Sequence, residues 1–160
     1  MTREQVNELR KLFQYELLET HISWVLLSDA FVYKIKKPIQ YSFLDFSTLA
    51  KRKYYCGREV TLNRRLTDDI YLDVQPVKER PGKIFIGGDE GALLDYAVRM
   101  RRMNSDTQMD VLLSKNKVQH SDVRKLAEKI AFFHKKADII YEKDILDVQK
   151  KFNDLGEERD

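Results

Sequence analysis

The sequence predicts an α+β fold in which an antiparallel sheet and its helices are followed by helices alone. Three observations carry this reading. Runs rich in β-branched and aromatic residues recur between residues 21 and 100, each bounded by turn residues. Stretches on either side of the first run repeat their apolar residues at helical spacing. Beyond residue 105 only the helical pattern remains. The joint is expected near Arg101 to Ser105, which separates a mixed lobe over 1–103 from a helical unit over 104–160.

Taken in order, residues 2–18 read as a helix, with Thr2 and Gln5 as a capping box and Val6, Leu9, Leu12, Phe13 and Leu17 in helical register. His21–Leu27 and Phe31–Lys37 read as two strands of a hairpin about Ser28-Asp29-Ala30, closed by Pro38. Ser47 is the expected N-cap of a long helix over 48–66, broken at Asp68-Asp69. Ile70–Val77, Lys83–Ile86 and Leu93–Met100 read as strands, the first two joined by a turn at Arg80-Pro81-Gly82. The acidic glycine run 87–91 is expected to be a hairpin loop. Helices are expected over 106–114, 121–136 and 141–155, with the final five residues frayed.

The bulk chemistry excludes several classes. No apolar run is long enough to cross a bilayer, and the charged start MTREQVNELRK does not have the form of a secretory signal. A lone cysteine, Cys56, forms no internal disulfide, so a reducing cytoplasm is the expected setting. The net charge of +3 arises from interleaved acids and bases, which argues against nucleic acid as the ligand. The cluster Lys51-Arg52-Lys53 beside Tyr54 and Tyr55 has the composition for base stacking, but a solvated amphipathic helix accounts for the same residues. One cysteine and three scattered histidines give no zinc spacing, and there is no GxxxxGK[ST] phosphate loop.

A series of words gives the sequence a resemblance. HISWV, YKIKKP, FLDFSTL and LNRRL within 20–66, then DIYLDVQPV, LLDYAVRMRRM and IAFFHKKA, follow one another in a set order. Across about residues 15–155 the chain resembles the N-terminal domain of bifunctional proteins that join an aminoglycoside phosphotransferase-like domain to a P-loop ATPase. The resemblance implies a protein-kinase-like small lobe and the first helices of an incomplete large lobe. It further implies ATP and Mg as cofactors, with a strand lysine on the nucleotide phosphates and a helix glutamate holding it. Phosphoryl transfer needs this arrangement, because a cation must be fixed at the phosphates by an anion.

Val32 and Lys34 lie two apart and so share a strand face, matching the apolar-any-lysine pattern of the phosphate-contacting strand. The resemblance thus implies Lys34 as the phosphate cation and Glu59, on the following helix, as its partner. Lys36 shares that face, so the choice between Lys34 and Lys36 stays open. Ala97, Val98, Arg99 and Met100, in the segment running on to Met103, are the expected hinge whose backbone would hold adenine. Met100 and Met103 either flank the base or pack in the core. FLDFSTL reads as a buried aromatic loop ending in a helix cap, with Asp45 alternatively near the nucleotide or a partner domain. His134 is assigned a structural role.

The resemblance also exposes gaps. No glycine precedes Gly57, so no glycine-rich loop covers the phosphates. The catalytic-loop histidine and aspartate, the asparagine and the metal-binding aspartate expected after His134 do not occur. The chain by itself is therefore expected to bind nucleotide without catalysing transfer, with no catalytic or metal-ligating residue assigned. The alternative is a non-catalytic regulatory or interaction module, with a P-loop ATPase domain or the remaining lobe as its partner. Apolar helix faces over 126–155 are expected to promote self-association.

Overall fold

A computed structural model describes residues 1–139. The chain divides into two compact units, Met1–Arg102 and a second beginning at Met103. The first is α+β. Helix α1 (Arg3–Phe13) starts from Thr2, whose hydroxyl accepts from Gln5 N while Gln5 Oε1 accepts from Thr2 N. It stops earlier than its periodicity predicts, because Gln14 turns left-handed with φ 54°. The released residues form an edge strand, β1 (Glu16–Glu19), which pairs with β2 (Ser23–Leu27). Leu17 fits a helix face or a strand face equally, and pairing with β2 decides between them.

Strand β3 (Phe31–Lys36) follows β2 across the expected hairpin. A two-residue pair that sequence pattern did not reveal, β4 (Gln40–Tyr41) and β5 (Leu44–Asp45), then leads into helix α2 (Leu49–Arg64). Its cap is Thr48 rather than Ser47: Thr48 Oγ1 accepts from Lys51 N at 3.2 Å, whereas Ser47 donates its hydroxyl to Asp45 at 2.6 Å. Strand β6 (Tyr71–Arg80) runs through Pro76 with register shifts, pairs with β7 (Lys83–Ile86), and β8 (Ala92–Arg101) completes the sheet. The order is β1-β2-β3-β8-β6-β7, antiparallel throughout.

Helices lie against both faces of this sheet. Val6 and Leu9 of α1 are buried with Trp24, Leu26, Ile35, Val77, Ile84 and Ala97. Cys56 and Val60 of α2 are buried with Val98, beside Tyr71, Val74, Tyr96 and Met100. Ala97 and Val98 thus serve opposite cores, as the two-residue period of a strand requires.

In the second unit, a 3₁₀ turn (Ser105–Thr107) precedes α3 (Met109–Ser114) and α4 (His120–Lys136). Val123, Leu126 and Ile130 of α4 are exposed along one face, and none of its residues is buried. The helix expected over 141–155 lies outside the described residues.

Two glycines give predictions of opposite sign. Gly57 sits inside α2, and a Cβ there would meet nothing within 4 Å. Gly57→Ala should raise stability by about 0.5–1 kcal/mol through helix propensity alone. Gly91 has φ +104°, and its Cβ would stand 2.8 Å from Glu79 O. Gly91→Ala should cost about 1–3 kcal/mol. Urea denaturation of both variants measures the pair, and equal shifts would contradict the account.

Candidate functional site

The site begins with the alternation of FVYKIK. Ile35 enters the α1-side core and Tyr33 packs against it, which directs Val32, Lys34 and Lys36 to the other face. Lys34 is opposite Val25 on β2 and Val98 on β8, and Val98 belongs to the core beneath α2. On α2, the buried residues Arg52, Cys56 and Val60 recur every four positions and mark the sheet-facing stripe. Glu59 lies on the same stripe, so its carboxylate arrives above the two lysines.

Each oxygen of Glu59 holds one of them. Lys34 Nζ donates to Oε1 at 2.8 Å and Lys36 Nζ donates to Oε2 at 2.6 Å. The Lys34 side chain is 28% exposed, that of Lys36 5% and that of Glu59 13%. Lys36 Nζ also stands 4.8 Å from the centre of the Phe46 ring, an aromatic face that favours a cation. The choice left open between Lys34 and Lys36 therefore becomes a shared anion with two cations of different exposure.

Electrostatics follow from this geometry. Burial pushes the Glu59 carboxyl up, but the hydrogen bonds and charges of Lys34 and Lys36 outweigh it and hold the group below its ordinary range. Burial is the chief cause that raises the Tyr71 phenol, with the Glu59 charge adding to it. Burial likewise pushes the Cys56 thiol up to about 11, which leaves it a packed side chain rather than a nucleophile.

A further feature escaped sequence reading. Register places Leu27, Val32 and Met100 in one row across β2, β3 and β8, on the same face as Val25 and Lys34. All four apolar residues are half-buried, and α2 packs chiefly on β8 and β6. They form an apolar tray beside the more exposed lysine. The two-residue period was the available signal, but the partner strands had to be known to use it.

The expected hinge residues are placed differently from one another. Ala97 and Val98 are buried in opposite cores, and Arg99 pairs with Asp73, its Nε 3.0 Å from Oδ1. Only Met100 joins the tray. Residues 97–100 lie between β3 and β6 with partners on both sides, so their backbone groups belong to the sheet ladders. Arg101 N and Arg102 N donate to Ile70 O and Ala30 O. Met103 is the first residue past this pairing, and it is exposed.

Asp45 is committed to the start of α2. Lys51 and the Ser47 hydroxyl and amide hold its carboxyl at about 2. The basic cluster is dispersed as well: Lys51 pairs with Asp45, buried Arg52 with Asp95, and Lys53 lies over the Tyr96 ring. Among the described residues no group of three or more His, Cys, Asp or Glu side chains is placed to hold a metal ion. No helix among them is long and apolar enough to cross a membrane.

The Glu59 clamp should leave an acid signature. Its folded carboxyl titrates below the unfolded one, so its stabilising contribution is whole above the ordinary glutamate range and is lost as pH falls through the depressed value. Glu59→Gln should cost about 2–3 kcal/mol at neutral pH, since Lys36 is left buried without its anion. Urea midpoints of parent and variant should draw together as pH falls from about 5 through and below the ordinary glutamate range. A gap that stays constant over that range would remove Glu59 as the titrating group.

Comparison with known proteins places the chain beside relatives without assigning it a family. No family model matches it, and no solved structure matches it. Proteins named as uncharacterized in two strains of Mycobacterium tuberculosis and in Mycobacterium bovis are 28% identical over 122 residues. The alignment takes in 76% of this chain and 23% of each relative, so the chain spans about a quarter of the length of the curated relatives it matches.

Proposed function

We propose that this chain is the ATP-binding portion of a kinase-like phosphotransferase, similar in kind to the aminoglycoside phosphotransferases. The carrying observation is the Glu59 clamp: a helix carboxylate fixes a partly exposed lysine on a central strand, with a second lysine behind it. Phosphoryl transfer calls for a cation of this kind, held in place before the phosphates arrive. The apolar tray of Val25, Leu27, Val32 and Met100 adjoins Lys34 and offers an apolar surface to a purine ring. In this reading Lys34 meets the phosphates, Glu59 orients it, and Mg accompanies the nucleotide. Backbone contacts to the base are assigned to the end of β8, past the paired residues 97–100.

A second reading has its own observation. The exposed row Val123, Leu126 and Ile130 on α4 suits a regulatory or interaction module that docks a partner domain or a second copy.

Calorimetric titration of Mg-ATP into the parent, Lys34→Ala and Glu59→Gln separates the two. The nucleotide reading expects binding by the parent that weakens at least about tenfold in either variant. A folded parent that binds no Mg-ATP would overturn it and favour the interaction module.

A further inference from the structure

We propose that Lys36 is a positioning residue that keeps Glu59 fixed while Lys34 is shared with a bound polyphosphate, a role that rests on the nucleotide reading above. The two lysines are alike in sequence but not in setting. Lys34 is the more exposed and stands beside the apolar tray. Lys36 is enclosed between Glu59 Oε2 and the Phe46 ring, and Glu59 is the only carboxylate it pairs with among the described residues. A ligand in solution reaches Lys34 first.

The division of oxygens gives this arrangement its consequence. A phosphate that approaches Lys34 competes with Glu59 for the same ammonium protons. A glutamate held by one lysine would then be loosened when the ligand binds. Here Oε2 stays bonded to Lys36, so the carboxylate keeps its rotamer and Lys34 stays aimed. Phe46 confines Lys36 from the other side, and Phe46 is itself tied in place because Arg52 Nη1 donates to its carbonyl at 3.0 Å. The positioning chain runs from the start of α2 through Phe46 and Lys36 to Glu59, and reaches the ligand only at Lys34.

A double-mutant cycle on Mg-ATP affinity tests this, using Lys36→Met, Glu59→Gln and the combined variant. If Lys36 acts through Glu59, Lys36→Met weakens binding about tenfold in the parent and has little further effect in Glu59→Gln. An equal loss in both backgrounds would mean that Lys36 touches the nucleotide itself. No loss in either would make it a packing residue. Either result overturns the proposal. Lys36→Gln carries the same test if the methionine variant does not fold.

A second readout needs no nucleotide. The Glu59 carboxyl, followed by carbon-detected NMR against pH, should titrate higher in Lys36→Met than in the parent, and Lys34→Met should raise it less. The other titratable groups around it, Tyr71 and Cys56, ionise far above this range. The reverse order of the two variants overturns the proposal, whether or not the parent binds Mg-ATP.

Discussion

Helix α2 is held to the sheet by charge as much as by apolar contact, and the first unit is arranged around that attachment. Only Cys56 and Val60 are buried apolar residues on it. Near its start, Arg52 Nε donates to the buried carboxylate of Asp95 at 2.8 and 3.1 Å. Two turns on, Glu59 takes both strand lysines. A buried ion pair contributes little net stability over an apolar substitute, but an unpaired buried charge costs about 3–5 kcal/mol. The pairs therefore act as registration points. A helix shifted along its axis by one residue would strand several charges at once, while a purely apolar stripe would tolerate the slip.

The sheet makes this compatible with a second core. Strand β3 gives Ile35 to the α1 side and its lysines to the α2 side, and β8 divides Ala97 and Val98 in the same way. Each face can be polar or apolar without compromising the other. The candidate site thus occupies a charged strip of one face while the opposite face supplies most of the fully buried apolar volume.

How much of this was legible in the sequence depended on range. The spacing of Val32 and Lys34 set their common face, and the resemblance singled out Glu59; the structure brings that glutamate and lysine together. The unequal burial of Lys34 and Lys36 was not legible, because it depends on Phe46 arriving from a loop whose path no local pattern specifies. Most of strand β1 falls within the helix predicted over 2–18, because Leu17 continues the helical register and the segment does not alternate clearly. The β4–β5 pair is too short to show a period at all. Ser47 and Thr48 are both good caps, and only the competing hydrogen bonds to Asp45 decide between them. The apolar tray needed strand neighbours, and β3 beside β8 is a pairing between segments far apart in the chain.

That pairing has a consequence for synthesis. Strand β8 lies between β3 and β6, and Phe31 meets Arg101. A chain emerging from the ribosome can close the β2–β3 and β6–β7 hairpins early, since each joins near neighbours. It cannot join them to each other until β8 has been made, because this inner strand of the sheet is also the last of the described strands. Until then the lysines of β3 and the floor beneath α2 have no common support. The charged site thus waits for β8, and a nascent chain stalled before it carries the lysines and the glutamate without the strand that brings them into register.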